Sequence, residues 1–184
     1  MNQIYLTRAV HAAVFAALII LGTFIRVPIG PVPIVMANFF VILAGLFLGP
    51  LWGTVSILLY LLLGAIGLPV FSAGGGVAVF AGPTGGYLLG YPVGALVAGA
   101  ISRKNCKKLS LLITAAAAGI SAVYLTGVPW LMWRVSAATG ESVSLVRGLS
   151  TGLLPFLPGD ILKLTAAAFV ARSLNRLSSG SVKE

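Results

Sequence analysis

The chain carries no acidic or basic residue between Arg26 and Arg103. Glycines and prolines divide this long apolar run, and roughly 20 consecutive apolar residues are enough to cross a bilayer as a helix. Over the whole chain of 184 residues, 59% are hydrophobic and 8% are charged, whereas roughly a quarter are charged in soluble globular proteins. The sequence therefore predicts a multi-pass protein of the cell membrane, with residues 1–184 forming one integral membrane domain.

Glycines, prolines and clusters of charge separate six apolar segments. Because the first segment lacks a small-residue cleavage site before Arg26, it is interpreted as a retained helix rather than a signal peptide. The connecting segments are expected to be irregular, including the stretch from about 130 to 156. The predicted fold is an all-α bundle of six transmembrane helices, near residues 7–25, 34–49, 51–67, 83–101, 109–129 and 157–175.

Basic residues are divided unequally between the two ends of these helices. One end has eight Lys and Arg residues and the other has three, with Lys163 inside the last helix. Since cytoplasmic loops carry the excess of Lys and Arg, both termini are predicted to be cytoplasmic. The loops after helices one, three and five then lie outside, together with the start of helix six.

Several functional classes find no support in the sequence. The formal net charge is +9, but the basic residues cluster at helix ends, which indicates membrane orientation rather than nucleic-acid binding. The glycine-rich stretch lacks the Lys of a Walker A loop, so this chain is not expected to bind ATP. His11 has no Cys or carboxylate at ligand spacing, and Cys106 lies in a basic loop. We expect no metal site, no cofactor and no catalytic nucleophile.

Asp160 and Lys163 are ionisable residues within the last predicted helix. With Pro158 as its first residue, the helix would hold Asp160 in its first turn and Lys163 on the same face one turn deeper. A simple ion pair that caps the helix is one interpretation. Because a charged residue costs roughly 2.5–3.5 kcal/mol at mid-membrane depth, a binding site for a polar ligand is the favoured one.

Small residues form a second candidate region, at the start of the fourth predicted helix. Small residues recur at every fourth position and form a stripe, which consists of Gly82, Gly86, Gly90, Gly94 and Ala98. The later members of this stripe are expected to pack closely against a neighbouring helix. At the outer end of the same helix, a ligand role is open for Thr84, Gly85, Gly86 and Tyr87, since free backbone amides are donors there.

The first helix has a further stripe of small residues, whose flat surface suits either internal packing or docking to another membrane protein. The sequence alone does not separate these two uses. The stripe consists of Ala9, Ala12, Ala13, Ala16 and Ala17.

Three classes of function are compatible with these patterns: a substrate-capture subunit of a transporter, an intramembrane enzyme, and a structural or assembly protein of the membrane. The first explains most of them, because a paired acid and base suit a ligand that has both donors and acceptors. The enzyme class is weaker, since Asp160 and Lys163 have no third catalytic partner.

Two long motifs resemble the BioY family, the biotin-binding S components of energy-coupling-factor (ECF) transporters. They are GPTGGYLLGYP at 82–92 and LPFLPGDILKL at 154–164, accompanied by VPIV at 32–35. The resemblance runs over essentially the whole chain in the same order. It implies an S-component-like helical bundle that captures biotin for vitamin uptake in a pocket open to the outside. It also implies that the protein is not an enzyme.

The resemblance also implies partners: a transmembrane coupling protein and two ATPase subunits. The ATPase subunits would bind the ATP, and the partners would dock on the alanine stripe of helix one. Solitary biotin uptake without these partners is the alternative. In the implied site, Asp160 accepts from a ureido N–H of biotin, Lys163 donates to the ureido carbonyl or an adjacent polar group, and Asn38 adds a neutral donor and acceptor. Tyr87 would cover the thiophane ring, the backbone of Thr84, Gly85 and Gly86 would shape the wall, and Arg26 is a candidate for the valerate carboxylate.

One position departs from the family pattern. After the Val-Pro-Ile of the first loop, family members often have a Gln where this chain has Ala37. Either Asn38 substitutes for that contact, or the contact is absent.

Overall fold

A computed structural model describes residues 3–28 and 31–180 of the protein. Helices account for most of these residues, and the strands are two residues long, which confirms the predicted all-α fold. The elements in chain order are α1 (Gln3–Phe24), β1 (Arg26–Val27), β2 (Ile34–Val35), α2 (Ala37–Ala65), a 3-10 helix (Val77–Ala81), α3 (Gly85–Ser102), α4 (Leu109–Thr139), α5 (Leu145–Gly152) and α6 (Leu157–Gly180).

Helix α2 reverses direction at Gly49 and so consists of two arms, 37–48 and 50–65. Gly49 has a φ of +79°, a backbone conformation that glycine adopts without strain, and Pro50 follows it. Asn38 and Tyr60 line one cavity, although 22 residues of straight helix would separate them by about 33 Å. The two arms therefore run back and forth between the ends of the bundle, as the separate predictions for 34–49 and 51–67 required.

Close approach of backbone holds the bundle together. A side chain at Gly45 would meet the backbone of Ala95 in α3, and one at Gly94 would meet the carbonyl of Gly119 in α4. Gly90 likewise packs on the backbone of Val123. The packing prediction for the later small residues of α3 is therefore confirmed, because only residues without bulk allow such contacts between membrane helices.

The described helices are long and apolar enough for several membrane crossings. Four qualify individually: Tyr5–Phe24, Ala37–Ala65, Gly85–Ser102 and Leu109–Thr139. Leu145–Gly152 and Leu157–Leu177, bent by 52° at a short break, together make a fifth candidate. With the fold-back of α2 at Gly49, the chain passes along the bundle six times. The end that faces the cytoplasm stays a prediction from charge.

The prediction of an irregular stretch from 130 to 156 is wrong for most of its length. Helix α4 continues through Pro129 to Thr139 and ends at Gly140, whose φ is +73°, and α5 follows. Next to Pro129, packing of Gly127 against Tyr87 holds the helix in place. Proline is tolerated in membrane helices when such neighbours support the backbone.

The buried core differs between the two ends of the bundle. At one end, the aliphatic core includes several buried aromatic residues, among them Tyr60, Tyr87, Tyr91 and Tyr124. At the other end, the core consists largely of alanines and aliphatic residues from α2, α3, α4 and α6. We call the end that contains these tyrosines and the buried Asp160 and Lys163 the cavity end.

Candidate functional site

A small cavity lies inside the cavity end of the bundle. Its lining comes from several elements, including Thr23 of α1, Val35 of β2, Asn38 and Tyr60 of the two arms of α2, and Tyr124 of α4. The free volume is about 40 Å³, enough for a few water molecules but far below the roughly 300–1,000 Å³ of typical ligand sites. The cavity must therefore widen before it can enclose an organic ligand.

Asp160 and Lys163 form a buried ion pair directly behind the wall of this cavity. Oδ1 of Asp160 lies 2.6 Å from Nζ of Lys163, and the two residues are 2% and 8% exposed. Tyr124 donates a hydrogen bond to Oδ2 of Asp160, and Lys163 donates to the Val35 carbonyl at 3.2 Å. Tyr124 and Val35 both line the cavity, so they connect the pair to it.

The pair keeps unused hydrogen-bonding capacity. Among the described residues, no donor makes a directed hydrogen bond to Oδ1 of Asp160, so its contact with Lys163 is mainly electrostatic. The ammonium group has three donors: one makes a hydrogen bond to the Val35 carbonyl, and the ion pair with Asp160 engages another electrostatically. One acceptor and one donor thus remain for a ligand.

Local sequence explains the position of the pair. Helix α6 begins at Leu157 with Pro158 in its first turn, where the missing N–H of proline costs nothing, and Asp160 also lies in this turn. The Asp160 amide donates to the Phe156 carbonyl at 2.8 Å. The predicted helix start and the shared face of Asp160 and Lys163 are therefore confirmed.

Asn38, in the first turn of α2, also lines the cavity. Oδ1 of Asn38 accepts a hydrogen bond of 2.6 Å from the Tyr91 hydroxyl. None of the hydrogen bonds within residues 3–28 and 31–180 uses its amide nitrogen, which leaves that donor available. Asn38 thus lines the cavity, and its contact with a ligand stays a prediction.

The predicted residues of α3 divide into two groups. Thr84 and Tyr87 line the cavity, and the Tyr87 hydroxyl donates to the Gly152 carbonyl at 2.7 Å. Gly85 and Gly86 instead pack tightly: added side chains would collide with the Phe80 carbonyl and with Trp130, respectively. Their absence of bulk lets α3 approach the 3-10 helix at Gly85 and α4 at Gly86, and their contribution to a ligand-facing wall stays a prediction.

Arg26 lies at the mouth of the cavity rather than inside it. Its side chain is exposed and donates to the carbonyl of Ser72, a residue that lines the cavity. The β1–β2 ribbon holds Arg26 there by pairing it with Val35. This position suits a group that reaches the charged end of an elongated ligand.

The alanine stripe of α1 is divided between interior and exterior. Ala12 and Ala16 are 0% and 4% exposed and belong to the core, so the prediction that they dock a partner is wrong. Their packing against neighbouring helices leaves no surface for another protein. Ala9, Ala13 and Ala17 are exposed, and for these three docking stays a prediction.

Sequence reasoning missed the tyrosines of the site. Tyr60, Tyr91 and Tyr124 line the cavity and are at most 7% exposed. Each lies inside an apolar predicted helix, where a phenol needs a hydrogen-bond partner because lipid supplies none. That requirement is a signal that could have identified the tyrosines. Ser72 and Phe156 also line the cavity, but they lie in loops, whose positions periodicity does not reveal.

The described residues contain no group of three His, Cys, Asp or Glu side chains placed to hold a metal ion. The site instead offers a carboxylate, an ammonium group, an amide and several phenols around an apolar lining. Such a set can orient a small molecule with hydrogen-bond donors and acceptors at one end and an apolar body. The fold and the site together define a multi-pass membrane protein that holds a polar binding site within its helical bundle.

Comparison with known proteins identifies the family. The family model described as the BioY family matches residues 1–180. The biotin transporter BioY of Thermotoga maritima is 38% identical over 169 residues, which cover 91% of this chain and 95% of the relative. The probable biotin transporter BioY of Pyrococcus horikoshii is 41% identical over 163 residues, covering 88% and 92%. This chain belongs to the BioY family.

A solved structure agrees with the assignment. The crystal structure of the S-component for biotin from an ECF-type ABC transporter superposes with a TM-score of 0.86 at 30% sequence identity, covering 96% of this chain and 94% of that chain. The helical S-component fold expected from the sequence is therefore confirmed, and the protein is a multi-pass protein of the cell membrane.

Proposed function

We propose that this protein captures biotin from the outer side of the membrane as the substrate-binding subunit of an ECF importer. The observation that carries the proposal is the buried Asp160–Lys163 pair, which keeps one acceptor and one donor free beside the cavity. Relatives across the chain are named biotin transporters. The protein is accordingly a transporter rather than an enzyme.

The chemistry of biotin matches the free groups of the site. Its ureido ring has N–H donors and a carbonyl acceptor side by side, so Oδ1 of Asp160 would accept from one N–H while Lys163 donates to the carbonyl. Asn38 would supply its unused amide N–H. Tyr87 and Phe156, both in the lining, would cover the thiophane ring.

The other end of biotin is a carboxylate on a flexible chain. Arg26 is the basic group placed at the mouth, and it would attract that carboxylate when the chain points outward. The cavity of about 40 Å³ would widen as the ligand displaces water and parts the surrounding side chains. Recognition would thus be polar at both ends and apolar between them, as in most small-molecule sites.

Energy would come from partners rather than from this chain. The proposal includes a transmembrane coupling protein that docks on the exposed Ala9, Ala13 and Ala17, and two ATPase subunits that bind ATP, so that this chain itself needs no cofactor. If uptake of labelled biotin into cells is the same with and without the partner genes, solitary transport replaces this part of the proposal.

The experiment that tests ligand capture is equilibrium binding of labelled biotin to the protein purified in detergent, with riboflavin and thiamine as comparison ligands. Saturable binding of biotin alone is expected, and the extracted ligand should be chemically unchanged. Absence of saturable biotin binding, or conversion of biotin to another compound, would contradict the proposal.

A further inference from the structure

An open groove lies at the end of the bundle opposite the cavity. The amino-terminal turns of α1, the turn at Gly49 and the end of α3 enclose a volume of about 1120 Å³. Thr7 in this groove and Thr23 in the cavity are separated by about 24 Å of helix α1. We call this region the arginine groove, because Arg8 and Arg103 both line it.

The charge of the arginine groove is not balanced from within. Arg8, His11 and Arg103 are exposed, and no acidic residue is among the side chains that line the groove in the described chain. The acids that the structure describes are Asp160, which pairs with Lys163, and Glu141, which follows α4. The groove therefore favours an anionic occupant.

Its wall is also apolar, which narrows the choice of anion. The apolar side chains that line the groove with the arginines are Phe47, Leu51 and Trp52. Leu51 is 68% exposed. The ring centroids of His11 and Phe47 lie 6.2 Å apart in an edge-to-face arrangement. A soluble anion would gain nothing from this surface. An amphipathic molecule would bury its chain on the apolar wall and its charge between the arginines.

The groove is separate from the alanine face predicted to dock a partner. At about 100° per residue, Thr7, Arg8 and His11 are centred roughly 165° around α1 from Ala9, Ala13 and Ala17. One helix thus presents a polar, basic side and a small, apolar side. A molecule in the arginine groove would leave the alanine face accessible.

We propose that the arginine groove binds an anionic phospholipid, with the phosphodiester between Arg8 and Arg103 and an acyl chain along Phe47, Leu51 and Trp52. Basic pockets between membrane helices commonly receive such headgroups, and a tryptophan at that depth suits the headgroup boundary. The size of the groove is adequate for a headgroup and the start of a chain.

The test is native mass spectrometry of the full chain with phosphatidylglycerol and with phosphatidylcholine of the same acyl chains. We expect preferential retention of phosphatidylglycerol, and a loss of roughly tenfold or more in its apparent affinity in the double variant Arg8→Gln with Arg103→Gln. Lys104→Gln with Lys107→Gln removes the same charge from exposed residues outside the lining and should leave retention unchanged.

Each other outcome contradicts the proposal. Equal retention of the two lipids, or equal losses in the two double variants, would mean attraction to net charge without a site. Displacement of the lipid by an excess of inorganic phosphate would identify a soluble anion instead. Biotin binding, measured on the same samples, should be unchanged in both variants, which shows that both are folded. A failure of the lipid proposal can therefore be distinguished from a failure of the proposed transport function.

Discussion

At the cavity end, Lys163 is 8% exposed and lies 2.6 Å from Asp160; at the other end, Arg8 and Arg103 are exposed and lie in a groove whose described lining contains no acid. The first arrangement compensates the high cost of a buried charge and leaves a few directed hydrogen bonds for a ligand. The second costs little and, with the apolar wall beside it, suits an amphipathic anion. One end is thus suited to selecting a single small molecule, and the other to contact with the membrane.

The largest effect should follow from breaking the buried pair. Lys163→Met leaves the Asp160 carboxylate buried without its cation, which is expected to cost about 3–5 kcal/mol of stability and to abolish biotin binding. Adding Asp160→Asn removes the stranded charge, so thermal unfolding in detergent should recover while binding stays lost. Lys104→Met, at an exposed position, is the matched control and should change neither. A double variant that binds biotin normally would contradict the assigned site.

An intermediate effect should follow from Tyr124→Phe. The hydroxyl that holds Oδ2 of Asp160 is lost, and the carboxylate then has more freedom while its charge and partner remain. We expect biotin to bind about tenfold more weakly, since hydrogen bonds to charged groups contribute roughly 1.5–3 kcal/mol. Tyr60→Phe is the control, because its contact with Thr23 is long, at 3.3 Å, and uncharged. Equal losses in the two variants would argue against a role for Tyr124 in orienting Asp160.

The smallest effect on binding should follow from changes far from the cavity. Ala13→Trp adds bulk to the exposed alanine face of α1, so biotin affinity should stay within about twofold while uptake in cells with the partner subunits falls. Ala117→Trp, at an exposed alanine of α4, should leave both unchanged. Unaltered uptake in Ala13→Trp would exclude this face as the docking surface.

The same contrast explains which features could be predicted from the sequence. Asp160 and Lys163 stand out because ionisable residues are rare in apolar helices, and their spacing determines a shared face. Tyr124 and Val35, which connect them to the cavity, come from α4 and β2. Their approach depends on tertiary packing that a one-dimensional pattern does not encode.

Small residues illustrate a second limit. The alanine stripe of α1 and the glycine stripe of α3 look alike in sequence, yet Ala12 is fully buried while Ala13 is exposed. Periodicity identifies a smooth surface but not the neighbour that covers it. The turn at Gly49 could be placed from Gly-Pro, whereas the end of α4 was predicted ten residues too early, because packing of Gly127 against Tyr87 carries the helix past Pro129.

The most direct test of the central claim is a crystal structure of this chain with biotin bound. The ureido ring should lie within hydrogen-bonding distance of Oδ1 of Asp160 and Nζ of Lys163, in a cavity wider than about 40 Å³, with the carboxylate directed toward Arg26. Biotin bound in the arginine groove, or in the cavity with its ureido ring away from the Asp160–Lys163 pair, would contradict the account.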